Sequence, residues 1–598
     1  MKSRLGFLGC LLASVLLAGC PSQVGPGDAA DGDVTNADAV NDTTPVDIVD
    51  VIEDDSPAAP SAIGNACTGD GTPQPGMGDC PMGEICLDEA QGFQLGYCTQ
   101  DCSADTCPMG SACIPVGRGF SICLRSCTVN EDCREMDGYD CTATMTGDHV
   151  CLPAGAPVGE RDGGPCYTTT AGMHQLPALA RSTFMSANLS ASEARTDSNN
   201  EAEGNVVVNP VTGNVSLSYI AVTRGGAFMG TSTTADGMMV LENGTVRDPM
   251  LSTTSDPVLA YTADGTLHMV FLGYNYDASG QPTGMRMRIA DSTDNGATWS
   301  TPRAIEPATT CTEGCDKPWI VVGPGPDGTG EVLYVAWLVQ TRTSARLVIE
   351  SSSDGGMTWS MPHTIATGPE TVGGAQILGN LNTLAVGTDG VVHVTYVGLT
   401  LGSMAANFGD ADNRIVYRRS SDGGTTWGPA RRVSAAADSP VYNQPMIALD
   451  GNTIYIAYVS GTPQGAWDVI LATSVDGGNT FGWRKVNDEP DACATHAFPA
   501  LVSDTTRHVA HVTWMENRFG TMTGAVAYAS CPQDPTMRCS TNEQVTDAPF
   551  TFTTSRDPRE WHGDYMGLNI TPGGDLWAGW SDTRSGAPHM YLSRGMPH

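Results

Sequence analysis

Ser420 to Trp427 reads SSDGGTTW, and the octet recurs as STDNGATW from Ser292 to Trp299, SSDGGMTW from Ser352 to Trp359 and SVDGGNTF from Ser474 to Phe481. The starts lie 60, 68 and 54 residues apart. The spacing within each octet has a local reason. Asp294, Asp354, Asp422 and Asp476 can accept hydrogen bonds from amides of their own turn. Gly296, Gly356, Gly424 and Gly478 supply a positive φ, and the closing aromatic plugs the seam beneath. Each octet is thus a hairpin turn that carries its own fastener. An alternating strand precedes it, as at Leu347 to Ser351 and Ile415 to Arg419.

Working outward, two more strand signals stand before each turn. Leading strands are predicted at Glu203 to Asn209, Asp256 to Thr262, Lys317 to Val322, Leu381 to Gly387, Gln444 to Asp450, Phe498 to Asp504 and Tyr565 to Thr571. Second strands follow at positions such as Leu333 to Trp337, Val391 to Tyr396 and Leu576 to Trp580. That makes seven units of about 61 residues, a period that points to a radial repeat. A six-bladed ring, at about 72 residues per blade, is the alternative. Unit one has Thr231 to Asp236 where an octet should stand, and unit six has the Cys531 to Cys539 loop. Unit seven ends at Tyr591 to Arg594 without an outer strand, so the stretch near Gln175 to Leu189 is expected to supply it and close the ring.

The octets resemble the Asp-box (BNR) repeats of the sialidase superfamily, over roughly Tyr167 to His598. The resemblance implies an all-β propeller of sialidase type, with the boxes at the blade periphery and structural in role. The leading strands would then line an axis, and the residues at their starts would gather around a funnel. Those residues are Glu201, Glu203, Asp256, Asp316, Lys317, Asn443, Gln444, His496, Trp561, His562, Asp564 and Tyr565. Two segments, Trp514 to Gly520 (WMENRFG) and Trp580 to Gly586 (WSDTRSG), place Arg518 and Arg584 after second strands. Each arginine either faces the funnel as a ligand-binding cation or is held by Glu516 or Asp582 to brace a loop, and the brace is the better-supported reading.

A sialidase needs arginines converging on the substrate carboxylate, a Tyr nucleophile partnered by a Glu, and an Asp acid. The superfamily's opening motif, Arg followed by Ile and Pro, has no match here, and none of the seven strand starts carries Arg. Tyr565, Asp564 and Glu201 are the residues that could take catalytic roles. The expected function is therefore a sialidase-like propeller that binds a glycan or protein ligand at its funnel without sialidase turnover. The alternatives are an exo-alpha-sialidase or related glycosidase with a rearranged site, and an architectural envelope protein.

Composition bears on partners and location. The net charge is −36, with no basic stripe to neutralise phosphates, so nucleic acid is not an expected partner. Residues 1–19 read as a signal peptide ending in Leu17-Ala18-Gly19-Cys20, which resembles a bacterial lipobox with Cys20 as the lipidated residue. Residues 20–66 form an acidic tether, with ten acidic residues and no Lys or Arg from Pro21 to Ala66. Together these place the protein at a cell envelope, lipid-anchored, with an outer membrane as the expected site.

Residues 67–166 carry three successive sets of four cysteines, and Cys80-Pro-Met-Gly-Glu-Ile-Cys86 is echoed from Cys107 to Cys113. Two disulfides per set are expected, because about thirty residues bury too little core alone. Zinc is not expected, since the spacings are not the paired two-residue kind. Cys311 with Cys315 and Cys531 with Cys539 should close local loops, leaving Cys166, at the end of the Cys-rich module, with Cys493 of the propeller (residues 167–598) as a long-range pair. No cofactor or metal is expected; the acidic loops are compatible with calcium, which nothing in the sequence assigns to one of them.

Overall fold

The computed structural model describes most of residues 183–597, apart from 194–197, 199, 224–225, 278–281, 306–310, 312–313, 341–343, 401–409, 462–466, 489–493, 519–522 and 553–560, together with parts of 63–153. The signal, Cys20, nearly all of the tether and the Cys166–Cys493 pair lie outside the described residues.

The described secondary structure is all strand, and seven antiparallel sheets succeed one another along the chain. Their innermost strands are Asn200–Val208, Thr253–Tyr261, Cys315–Gly323, Ala375–Val386, Met446–Asp450, His496–Asp504 and Gly567–Ile570. Each touches the next and the seventh touches the first, so seven blades close a ring. Blade 7 takes its fourth strand from Leu189–Ser190, paired with His589–Gly595. Met185 N to Arg594 O (3.0 Å) and Met596 N to Thr183 O (2.9 Å) extend that closure. No sheet edge is then left open between the last blade and the first.

The four Asp boxes share one hydrogen-bond pattern. In the Ser420 box, Asp422 accepts from Thr426 N (2.8 Å) and from the Thr426 hydroxyl (2.6 Å). The Ser420 hydroxyl donates to Asp422 (2.7 Å) and accepts from Gly424 N (2.9 Å). The carboxylates of Asp294, Asp354 and Asp476 are tied in the same way. The glycine at the fifth position of each box has φ between 79° and 91°, a left-handed conformation that strains any residue with a Cβ. Ser420→Ala removes a buried hydroxyl with two partners and should cost about 1–2 kcal/mol in urea unfolding, while the exposed Thr425→Ala beside it should be close to neutral.

A box also receives a donor from the blade before it. Thr231 Oγ1 donates to Gly296 O (2.8 Å), Arg303 to Gly356 O (3.2 Å) and Arg419 to Gly477 O (2.8 Å). Blade 6, whose box is replaced by a loop with the Cys531–Cys539 disulfide, receives Arg484 on Pro532 O (2.6 Å), Asp534 O and Met537 O (both 2.9 Å). In blade 1 the box-like turn begins later than expected, at Thr234, whose hydroxyl accepts from Gly237 N (3.0 Å).

The cysteine-rich region contains three hairpins, Ile85–Leu87 with Tyr97–Thr99, Ser111–Gly117 with Phe120–Arg125, and Tyr139–Ala143 with His149–Pro153. Its disulfides pair first to third and second to fourth within a set: Cys102–Cys113 with Cys107–Cys123, and Cys127–Cys141 with Cys133–Cys151. Cys80–Cys98 is the second-to-fourth bond of the first set. Tyr97, Ile114, Ile122, Leu124, Tyr139 and Val150 form a small core around these bonds. The sulfurs that lie close enough to share a metal ion are already committed to disulfides. Cys311–Cys315 closes the predicted local loop directly before Asp316.

Candidate functional site at the propeller axis

The funnel residues were expected at the starts of the leading strands, and this is corrected by the structure. Glu203, Asp256 and Lys317 instead sit at a bulge inside the strand, whereas Glu201, Asp316 and His496 lie within the first two residues of theirs, as expected; the inner strands of blades 4 and 6 carry the same bulge. At each bulge the register slips and one non-glycine residue turns left-handed: Glu203 (φ 59°), Asp256 (55°), Lys317 (53°), Leu381 (50°) and Phe498 (54°). Aligned by sequence, Gln444 and Tyr565 hold the corresponding places in blades 5 and 7, just before their inner strands begin. A non-glycine residue held at positive φ is strained by about 1–3 kcal/mol, and such strain collects where side chains must be aimed. Repeating it around one ring aims these side chains toward one another.

The group this assembles is charged. The Lys317 ammonium lies 2.9 Å from Asp256, 2.5 Å from Asp564, and 3.9 Å from both Glu203 and Asp316. Four carboxylates from blades 1, 2, 3 and the entry to blade 7 therefore surround one cation. Burial opposes the charge on Lys317, but Asp256, Asp316, Asp564 and Glu203 outweigh it and hold its pKa well above the lysine range. Burial, and then the neighbouring Asp256, raise the pKa of Glu203 well above the carboxylate range despite Lys317. Burial likewise pushes Asp316 up to about 7 against the pull of Lys317. Glu203 is fully buried, and neither of its oxygens has a hydrogen-bond donor. Lys317, Asp316 and Asp564 each keep 9% of their side-chain surface in solvent, while Glu203 keeps none.

Tyr565 packs edge to face on Trp319 with ring centroids 5.9 Å apart, and its hydroxyl donates to Pro257 O (3.1 Å). Burial first, then Glu203 and Asp256, raise its pKa well above that of a free phenol, the opposite of what a nucleophile requires. Asn443 and Gln444 act as straps between blades: Asn443 accepts from Phe498 N (2.8 Å) and Gln444 donates to Asn382 O (2.9 Å). His562 places its two ring nitrogens 3.0 Å from Ser581 O and Thr551 O.

Arg518 and Arg584 are both held by carboxylates of their own segments. Arg518 contacts Glu516 through two nitrogens, one of them at 2.7 Å, and reaches Asn542 (3.0 Å) and Asp488 (3.2 Å). Trp514 Nε1 (2.8 Å) and His496 Nε2 (3.3 Å) meet the same Glu516. Arg584 pairs with Asp582 (2.6 Å) and with Asp547, and lies over the Tyr591 ring at 4.4 Å. Trp580 Nε1 donates to Asp582 (3.0 Å), so the two segments use one bracing pattern.

Glu201 has a partner that the sequence did not reveal. It is fully buried and lies 2.5 Å from His589 Nδ1, 2.9 Å from the Ser192 hydroxyl and against Ser198. These contacts join blade 1, blade 7 and the closing segment. The hydrogen bond to Glu201 raises the pKa of His589 against its burial. A raised pKa contributes stability that is fully present below the unfolded histidine value of about 6.5 and is lost as pH rises through the folded value. The melting temperature of the wild type should therefore fall more than that of His589→Gln as pH is raised from about 6 through neutrality.

Residues 330–524 match the family described as the BNR repeat-like domain. The BNR match runs from the second strand of blade 3 into the third strand of blade 6 and includes the boxes at Ser352, Ser420 and Ser474. The chain is thus a seven-bladed propeller whose blades 3 to 6 carry the BNR repeat match. No curated protein matches the chain at a significant level. Among solved structures, a Hadza microbial sialidase is 15% identical, with 56% of this chain and 66% of that chain covered and a TM-score of 0.39. A Penicillium chrysogenum alpha-L-arabinanase complexed with arabinobiose is 16% identical over 57% of this chain and 92% of its own, with a TM-score of 0.38. A PL25 ulvan lyase is 10% identical over 68% and 95%, with a TM-score of 0.43.

Proposed function

We propose that this BNR propeller binds a neutral, hydroxyl-rich ligand of the carbohydrate class at the axial carboxylate group, displayed at a membrane surface by lipid on Cys20. The observation that carries the reading is Glu203, whose buried carboxyl has no hydrogen-bond partner, in a ring where four carboxyl groups face one ammonium. Buried carboxyl groups without partners call for groups that both donate and accept, and sugar hydroxyls do both. A sialic acid would add a further anion to a group already rich in them. Binding of neutral glycans by the purified chain on a glycan array, weakened about tenfold or more in Glu203→Gln, supports the reading. Retention of sialylated glycans alone, or of no glycan at all, sinks it. Metabolic labelling with a fatty acid that persists in Cys20→Ser would remove the lipid anchor from the proposal.

A second reading, glycoside hydrolysis, is favoured by Asp316. A carboxyl that holds its proton to about 7 beside carboxylates engaged with Lys317 is an acid next to bases, the pairing such hydrolysis uses. Release of 4-nitrophenol from glycosides that declines as pH passes about 7 and disappears in Asp316→Asn would turn the binder into an enzyme.

A further inference from the structure

Several arginines of the blades have a carboxylate within salt-bridge distance: Arg288, Arg303, Arg418, Arg507, Arg518 and Arg594 are examples. Arg419 and Arg431 have none among the described residues, in a chain whose net charge is −36. Both lie on the outer strands of blade 4, at Arg414–Ser420 and Arg431–Arg432. Each donates through Nη1 to a carbonyl of the blade 5 box, Arg419 to Gly477 O (2.8 Å) and Arg431 to Asn479 O (3.5 Å). Anchoring at one nitrogen fixes a guanidinium while leaving its other N–H groups to face outward.

Trp483 stands on the outer strand of blade 5, 45% exposed, with Nε1 donating at 2.5 Å to the carbonyl of Val433, two residues after Arg431. An indole pinned by its edge presents a rigid apolar face to solvent. Asp422 and Asp476 of the two boxes are committed to hydroxyls and amides of their own turns, and Asp438 to Ala435 N and the Tyr458 hydroxyl. The rim between blades 4 and 5 therefore combines two fixed guanidiniums with one fixed aromatic plate.

We infer that this rim is a recognition surface for an acidic polysaccharide. The guanidiniums match the carboxylate or sulfate groups of such a chain in bidentate fashion, and the indole takes the C–H face of a pyranose ring. The surface has the opposite charge preference to the axial group and stands independently of it.

The test is affinity electrophoresis of the full chain through gels containing polygalacturonate, dextran sulfate, neutral dextran or single-stranded poly(dT). Retardation by polygalacturonate or dextran sulfate that fades with salt, and that falls about tenfold in Arg419→Gln/Arg431→Gln and in Trp483→Ala, is the expected result. Trp483→Ala removes a half-exposed ring and one hydrogen bond to Val433 O and touches neither guanidinium, so it keeps the test decisive should the arginine variant fold poorly. Retardation by poly(dT) equal to that by the polysaccharides would reduce the surface to simple charge and overturn the proposal. So would undiminished retardation in both variants, absence of retardation, or displacement of the polysaccharide by a peptide of the chain's own acidic residues 28–55.

Discussion

Lys317→Met should destabilise the propeller by about 3–5 kcal/mol in urea unfolding at neutral pH, the range for stripping a buried charge of its partner. The ammonium is what allows Asp256 at 2.9 Å and Asp564 at 2.5 Å to be buried together with Glu203 and Asp316. Adding Asp256→Asn to that variant should recover part of the loss, because the amide keeps the shape and removes one uncompensated charge. A Lys317→Met protein within about 0.5 kcal/mol of wild type would show that the axial ion group holds nothing together. The pH dependence has a definite sign. Asp316 at about 7 and Glu203 well above the carboxylate range retain protons that the unfolded chain, with carboxyl pKa near 4, has released. Their contribution is fully present below about pH 4 and is lost as pH rises through the folded values. Wild-type stability should fall between about pH 5 and 8, more steeply in Lys317→Met and less so in Asp316→Asn.

Arg518→Leu is expected to cost a comparable amount, about 3–5 kcal/mol, and to leave the proposed axial ligand binding intact. Glu516 has no exposed side-chain surface and Arg518 only 4%, so removing the arginine leaves a buried carboxylate without its main cation. Burial pushes Glu516 upward, yet Arg518 and His496 outweigh it and hold its pKa below the ordinary carboxylate value. A depressed pKa contributes stability above the unfolded value of about 4.3 and loses it as pH falls through the folded one, so the variant's deficit should shrink in acid. Arg584→Leu should cost less, about 1–3 kcal/mol, because Arg584 is 15% and Asp547 24% exposed and water can take over part of the pairing. Unchanged urea midpoints together with lost ligand binding would reverse the assignment and return both arginines to the funnel.

Much of the fold was legible because its signals are local. An octet such as SSDGGTTW satisfies its own donors and acceptors within eight residues, so residue type and spacing suffice to announce a turn, and four such turns at blade-like intervals announce a ring. The same applies to the cysteine sets, and to Cys311–Cys315 and Cys531–Cys539, whose partners are near in sequence. The acidic and polar content of the inner strands could also be read directly. That Arg518 and Arg584 brace their own segments was visible two residues away, at Glu516 and Asp582.

Tertiary structure alone decided which of those polar residues meet. Asp564 lies 247 residues from Lys317, and His589 lies 388 from Glu201; no local pattern specifies such pairs, because closing the ring brings them together. It also decided where the axial side chains point. A left-handed residue at a bulge, rather than the start of a strand, aims Glu203, Asp256 and Lys317, and a bulge is a mismatch of register with a neighbouring strand that single-strand periodicity does not contain. The chain alone thus specified repeating blades, because hydrogen bonds within a turn are local. The burial that ties four carboxylates to one ammonium belongs to all the blades at once.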